Sequence, residues 1–152
     1  MTGCGILTGN NTQLWSHLAD DSVDLFLTDP PYADVEAYAK LGELAAAKLK
    51  DGGVCAVYSG QFHLPEVMTA MGKSLSYYWT VALLHTGSNP RVNARRVTNG
   101  WKPILIYTKG KPQLDWIVDC LHGGVLVQRE MEFSLRDVSE LRGSLMVQGF
   151  RN

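Results

Sequence analysis

The sequence predicts an α/β domain whose sheet is mostly parallel and carries helices on both faces. Short apolar runs alternate along the chain with segments rich in helix-forming residues. The run 23–28 is apolar at most positions, which is typical of a strand buried on both faces of a sheet. The 152 residues contain no internal repeat and no linker, so we expect a single domain over residues 1–152.

The first half of the chain shows this alternation clearly. In order, we expect a brief strand at 6–8, a helical turn over 11–18, a strand at 23–28 and a helix from 34 to about 49. Two prolines, Pro30 and Pro31, end the second strand because proline has no N–H for a strand ladder. The helix has an acidic start and a lysine-rich end, and Asp51-Gly52-Gly53 is expected to stop it.

The second half continues the alternation and then becomes less regular. We expect strands at 54–58, 77–84 and 103–107, a helix at 65–71, a polar loop over 86–100, and a short strand at 114–118 before a short helix at 135–141. Most aromatic residues in these runs are predicted to lie in the core: Trp15, Trp79, Trp116, Tyr58, Tyr77 and Tyr78. Trp101 lies beside a basic loop, and its place stays open between core and surface.

Composition excludes several classes of protein. With 45% hydrophobic and 19% charged residues, the chain is neither disordered nor coiled-coil. It has no apolar run long enough for a membrane span and no basic, apolar leader, so we expect no membrane partner. Cys4, Cys55 and Cys120 form no CxxC pair, which favours a reducing, cytoplasmic compartment. The four histidines are scattered, so no metal site is predicted.

Charge is distributed unevenly along the chain. Residues 85–111 hold six basic and no acidic side chains, whereas the remaining residues hold eight basic and fifteen acidic ones. A basic segment on a mildly acidic body is expected for a protein with a polyanionic partner such as nucleic acid. A solvated loop that merely keeps the protein soluble would show the same charge, so both interpretations stand at this point.

The segment VDLFLTDPPY (23–32) carries the chemistry. The predicted strand delivers Asp29, Pro30, Pro31 and Tyr32 to its carboxyl end, where open α/β sheets bind their ligands. The Asp29 carboxylate and the Pro30 carbonyl could accept the two N–H bonds of an exocyclic base amine, and Tyr32 offers a face on which an extruded base can stack. The alternative is an ordinary strand-to-turn aspartate with two turn prolines.

This segment resembles motif IV of amino-methyltransferases that modify adenine N6 or cytosine N4 in DNA with S-adenosylmethionine. ILTGN (6–10) and LWSHLADDSVDLFLTDPPY (14–32) are similar to the approach to that motif in enzymes with permuted motif order. WKPILIYTKGKP (101–112) is similar to a downstream stretch of such proteins, which are often phage or plasmid encoded. The resemblance covers residues 5–120, and 121–152 form a divergent tail.

The resemblance implies a Rossmann-like, S-adenosylmethionine-dependent methyltransferase fold and a role for particular residues. Asp29 to Tyr32 would form the pocket of the target base, and Asn10 and Asp29 would lie near the cofactor. An aspartate at the first motif position is more usual for adenine than for cytosine enzymes. The DNA-contacting positions implied by the family are Arg91, Arg95, Arg96 and Lys102.

The glycine-rich cofactor motif of the family, FxGxG, is not found in the sequence. His122-Gly123-Gly124 and Gly143-Ser144 do not follow a clear strand with the required spacing, and Gly3-Cys4-Gly5 has no room for a preceding strand. We therefore expect an incomplete fold. The chain is either half of a split methyltransferase, with a companion subunit or a second copy supplying the cofactor site, or a non-catalytic DNA-binding remnant. An RNA or protein-amide methyltransferase is a third alternative.

Overall fold

The computed structural model describes residues 15–85, 90–112, 114, 117–122 and 145–149. Two helices are described, α1 (Val35–Lys48) and α2 (Leu64–Met71), together with short 3₁₀ turns at Trp15–His17 and Asn93–Arg95. The strands are β1 (Val23–Asp29), β2 (Leu49–Tyr58), β3 (Ser76–Leu84), β4 (Arg91–Val92), β5 (Val97–Thr98), β6 (Trp101–Thr108), β7 (Cys120–His122) and β8 (Leu145–Gly149).

Six of these strands form one sheet in the order β7-β3-β6-β2-β1-β8. β1 is parallel to β2 and β8, and β3 is parallel to β7, whereas β6 runs antiparallel to both of its neighbours. The predicted α/β domain with a mostly parallel sheet is confirmed, with β6 as the reversed strand. Because β6 is reversed, its first residue, Trp101, lies at the same edge as the last residues of β1, β2 and β3, which are Asp29, Tyr58 and Leu84. We call this the site edge.

α1 forms where its sequence predicts a helix. The Asp34 side chain caps the first turn by accepting a hydrogen bond from the Ala37 amide at 3.0 Å. Tyr38, Leu41 and Ala45 recur at helical spacing, and all three are buried against the sheet. The helix therefore begins directly after the Asp29–Tyr32 turn, and its packing holds that turn against the sheet.

The main core lies between the sheet and the two helices. Phe26 of β1 and Val57 of β2 are buried there beside Val67 of α2, and Trp15 stacks on Phe26 with the ring centroids 4.6 Å apart. The core position predicted for Trp15 is confirmed. A smaller cluster around Ile104 occupies the opposite face of the sheet. Both helices that the structure describes lie on the first face.

Asp51-Gly52-Gly53 does not stop the helix, as the sequence analysis expected, but lies inside β2. α1 ends at Lys48, and Leu49 immediately pairs with Val23 as the buried first residue of the strand. Gly52 adopts φ +82° next to an irregular register in the pairing with β1. A glycine in a strand often marks such an irregularity, and the strand continues through it.

Two other predictions for the second half of the chain are wrong. The described residues of 114–118 form no strand, and the strand lies at β7 instead. The polar loop over 86–100 contains the short hairpin β4–β5. Asn10, Trp116 and the elements predicted at 6–8 and 135–141 lie outside the described residues.

Three aromatic residues at the start of β3 are exposed rather than in the core. Tyr77, Tyr78 and Trp79 are all more than 40% exposed. They lie on the part of β3 that precedes its pairing with β7, which begins at Ala82. The prediction failed because an aromatic, β-branched run has the same composition in a central strand and in one that is partly open.

Neither described helix has the length and apolar content that crossing a membrane would require.

Candidate active site

The predicted base pocket lies at the site edge. β1 ends at Asp29, and the chain turns away through the buried Pro30 and the exposed Pro31. The Pro31 carbonyl accepts a hydrogen bond from the amide of Asp34, the cap of α1, at 3.1 Å. Because both prolines have a fixed φ and no N–H, the turn is stiff and is held at both ends by regular structure. The structure thus brings Asp29 to the carboxyl end of a strand, as its sequence predicts.

The Tyr32 ring packs on the backbone at the end of β2. A methyl group added to Gly60 would lie 3.0 Å from the Tyr32 Cβ and 3.3 Å from two ring carbons. The residue before this glycine, Ser59, is fully buried and its amide donates to the Pro103 carbonyl of β6 at 3.0 Å. A side chain at Gly60 would therefore displace the ring, and the fixed backbone sets the ring's position.

Lys102 lies beside the Tyr32 ring. Its ammonium donates a hydrogen bond to the Tyr32 hydroxyl at 3.0 Å and lies 5.1 Å from the ring centroid. The sequence analysis grouped Lys102 with the arginines of the basic loop as a DNA contact. The structure places it at the start of β6, half-buried against Tyr32, and its contact with DNA stays a prediction.

Burial and the neighbouring acid change the acidity of the pocket. Burial, followed by a hydrogen bond to the Asp29 carboxylate, raises the pKa of Tyr32 well above its ordinary range. Burial and the negative charge of Asp29 also raise the pKa of Tyr58, while Lys102 acts in the opposite direction. The Tyr32 hydroxyl therefore stays protonated at neutral pH, where it accepts a hydrogen bond from Lys102.

One oxygen of the Asp29 carboxylate is buried and uncommitted. Oδ1 has no hydrogen-bond partner among the described residues. A buried acceptor without a partner costs about 1–3 kcal/mol, so a donor that reaches Oδ1 would be stabilised there. The geometry of the pocket is suited to accepting an N–H bond from a bound molecule next to a flat aromatic ring.

β8 lies directly beside Asp29 in the sheet. It pairs in parallel with β1, and Gly149 lies opposite Asp29. The predicted tail therefore contributes a strand to the sheet next to the site. The carboxyl ends of β1 and β8 lie side by side at the site edge, where open α/β sheets bind nucleotide-like ligands. An uncommitted carboxylate there suits a ligand that carries N–H or cationic groups.

The basic residues predicted to contact DNA lie on an exposed hairpin at the same edge. All three arginines are exposed, Arg91 on β4 and Arg95 and Arg96 on the turn between β4 and β5. Because the hairpin joins the end of β3 to the start of β6, it stands next to the pocket. Gln61 anchors the base of the hairpin, since its side-chain amide donates hydrogen bonds to Asn99 Oδ1 at 3.2 Å and to the Trp101 carbonyl at 2.9 Å.

The sequence analysis missed the contribution of Gly60 and Gln61. Their position in the sequence could have indicated a role, since both residues closely follow a predicted strand and therefore lie at the same sheet edge as Asp29. The described residues contain no group of three or more side chains that could hold a metal ion.

No protein-family profile and no curated protein matches the chain. Solved structures do. PvuII DNA methyltransferase (cytosine-N4-specific) superposes with a TM-score of 0.66 at 17% identity, over 76% of this chain and 55% of that one. A protein described as a DNA modification methylase of Thermus thermophilus gives 0.64 at 14% identity, over 86% and 72%. M1.HpyAVI in its SAM complex gives 0.59 at 12% identity, over 92% and 87%.

These similarities confirm the predicted fold class. The chain has the α/β fold of S-adenosylmethionine-dependent methyltransferases. It spans only about half the length of the PvuII enzyme that it matches and about three-quarters of the Thermus protein.

Proposed function

We propose that this chain takes part in transfer of a methyl group from S-adenosylmethionine to an exocyclic amine of a DNA base. The observation that carries the proposal is the buried, uncommitted Oδ1 of Asp29 beside the Tyr32 ring. The resemblance of DPPY to an amino-methyltransferase motif and the fold shared with three DNA methyltransferase structures support it.

The protein's contribution to the chemistry is to position the amine. The lone pair of an exocyclic base amine is delocalised into the ring, so the free amine is a poor nucleophile. Asp29 Oδ1 and the Pro30 carbonyl accept its two N–H bonds and hold the nitrogen with its lone pair free. Both acceptors also stabilise the positive charge that develops on nitrogen as the new bond forms. Stacking on Tyr32 contributes about 1–3 kcal/mol to holding the extruded base.

S-adenosylmethionine, when bound, supplies the methyl group. Within the described residues, it would bind where the carboxyl ends of β1 and β8 meet, at Asp29 and Gly149. Asn10, the other residue for which the resemblance implies a cofactor contact, lies outside the described part of the chain.

Adenine N6 is the proposed target. It is favoured by an aspartate at residue 29, where cytosine-N4 enzymes of the family usually carry serine. The fold alone does not distinguish the two bases, because the PvuII enzyme is cytosine-N4-specific. DNA is the proposed polyanionic partner of the arginine hairpin.

Transfer of tritiated methyl groups to unmethylated DNA tests the proposal. Asp29→Ala should reduce kcat/KM by at least about a hundredfold, the scale found when one transition-state hydrogen-bond partner is lost. Asp24→Ala is the matched control on the same strand, because Asp24 pairs with Lys50 at 2.8 Å near the opposite end of β1. If the Asp29→Ala variant transferred methyl groups as fast as the wild type, the mechanism would be contradicted. Chromatography of the digested DNA separates N6-methyladenine from N4-methylcytosine.

A calorimetric titration with S-adenosylmethionine separates the enzyme from a DNA-binding remnant. Binding by the chain alone supports a catalytic unit. Salt-sensitive DNA binding without cofactor binding supports the remnant. Cofactor binding that appears only with a second protein supports a split enzyme.

A further inference from the structure

Phe62 is an exposed aromatic residue at the site edge that the proposed reaction does not use. It lies two residues beyond Gly60, so their Cα atoms are at most about 7 Å apart, and Gly60 is the residue that packs on Tyr32. The Phe62 side chain is 45% exposed. Among the exposed aromatic residues that the structure describes, Tyr77, Tyr78 and Trp79 lie instead on the early part of β3, towards the opposite end of the sheet.

The ring is held in position by charged and polar neighbours. The Arg95 guanidinium lies 4.9 Å from the Phe62 ring centroid, and the His63 ring meets it edge-on at 4.8 Å. Gln61, the preceding residue, donates hydrogen bonds to the Asn99 side chain and to the backbone carbonyl of Trp101. The ring and the arginine hairpin are therefore tied to one another, and an apolar surface lies directly beside a cationic one.

We propose that Phe62, with Arg95 above it, is a second base-stacking site. It would contact the DNA stack beside the target nucleotide and fill the space that an extruded target leaves. This inference rests on the proposed function and adds the residue that stabilises the DNA from which the base has been extruded. Removing a base from a duplex costs a few kcal/mol of stacking and pairing, and proteins that distort DNA frequently offset this cost by inserting an apolar side chain between base steps.

The arrangement suits DNA rather than a protein partner. One face of the Phe62 ring is covered by a guanidinium that can also reach a phosphate, while nearly half of the side chain is exposed. The nearby exposed charges on the hairpin are Arg91, Arg95 and Arg96, and residues 85–111 contain no acidic side chain. Alternating apolar and cationic surface matches alternating bases and phosphates.

Substitution of Phe62 followed by chemical rescue tests the inference. After the methylated sequence of the wild type has been mapped, kcat/KM is measured on a matched duplex and on one with a pyrene nucleotide opposite the target. Phe62→Ala should reduce kcat/KM about tenfold on the matched duplex, as expected for loss of one base–aromatic contact. On the pyrene duplex, where pyrene itself fills the vacated space, the kcat/KM of Phe62→Ala should return to within about threefold of the wild-type value. Phe62→Trp should retain activity, and Tyr78→Ala is the exposed-aromatic control.

Two outcomes overturn the inference while leaving the proposed function intact. Phe62→Ala could leave kcat/KM unchanged, or it could lower kcat/KM equally on both duplexes, which would indicate a structural role. If the wild type transfers no methyl group, the proposed function fails and a binding measurement decides the inference by itself. The wild type should then bind a duplex with a single abasic gap more tightly than an intact duplex, and Phe62→Ala should lose this preference. If the wild type and Phe62→Ala preferred the gapped duplex to the same extent, the inference would be overturned.

Discussion

Gly60 is the position at which a single methyl group should change the candidate active site most directly. In Gly60→Ala the new Cβ would lie 3.0 Å from the Tyr32 Cβ, whereas ordinary contacts begin near 3.4 Å. About 0.4 Å of movement is therefore required. The obstructing atom is adjacent to the backbone, so rotation of the ring cannot relieve the contact. The turn that follows Asp29 has to shift.

The magnitude follows from two opposing effects. Overpacking of this kind typically costs about 1–3 kcal/mol, whereas replacing glycine by alanine lowers the entropy of the unfolded chain and returns about 0.4–1 kcal/mol. The free energy of unfolding should therefore fall by about 1–2 kcal/mol. The displaced atoms belong to the turn that we propose holds the target base. The value of kcat/KM should therefore fall further, by about tenfold, since errors near 1 Å cost about a hundredfold in well-positioned sites.

Gly42→Ala is the matched control. Its new Cβ would meet Met71 at 3.5 Å, an ordinary contact, inside α1. That variant should gain about 1 kcal/mol in stability with unchanged kcat/KM, because alanine favours a helix more than glycine does. Urea unfolding and tritiated methyl transfer measure the two quantities. If Gly60→Ala behaves like Gly42→Ala in both assays, the inferred contact with Tyr32 does not set the ring position.

Three further predictions follow from the same structure. Lys102→Met and Tyr32→Phe should each lower the free energy of unfolding by about 1 kcal/mol, because each removes the same hydrogen bond. The double variant should therefore be only slightly less stable than either single variant. Additive losses in urea unfolding would show that the bond is not formed. Burial raises the pKa of Tyr107 above its ordinary range, so above about pH 9 the unfolded chain releases this proton while the folded chain keeps it, and stability falls as pH rises. Tyr107→Phe should reduce that fall by up to about 1.4 kcal/mol per pH unit in urea titrations from pH 8 to 11, and an unchanged slope would contradict the assignment. Arg91→Ala should reduce the slope of log K against log salt for DNA binding by about 1, whereas an unchanged slope would remove this residue from the phosphate contacts.

Much of the half of the sheet that carries Asp29 is predictable from the sequence, because there local and long-range signals agree. β1 is an apolar run ended by two prolines, and α1 is a helix-forming segment with a capping aspartate at residue 34. Asp29 follows the strand directly, so its place at a sheet edge follows from topology alone. The roles assigned to Asp29–Tyr32 remain predictions until the transfer assay is done.

The remaining features depend on contacts that no local pattern encodes. Lys102 is a surface lysine by composition, and only the antiparallel course of β6 brings it to Tyr32. Gly52 belongs to a strand rather than a turn because Leu49 pairs with Val23 across the sheet. Pairing of β8 with β1 joins segments more than a hundred residues apart, and no periodicity in the sequence indicates it.

The pairing of β1 with β8 also has a consequence for synthesis of the chain. Ribosomes add about 5–20 residues per second, and β8 begins 116 residues after β1 ends, at Leu145 against Asp29. The edge of β1 that pairs with β8 therefore stays without its partner strand for roughly 6–23 s at those speeds. An open edge of this kind can pair with strands of other chains. Slower elongation between residues 30 and 145 should thus lower the soluble yield, even though every contact in the finished protein is unchanged.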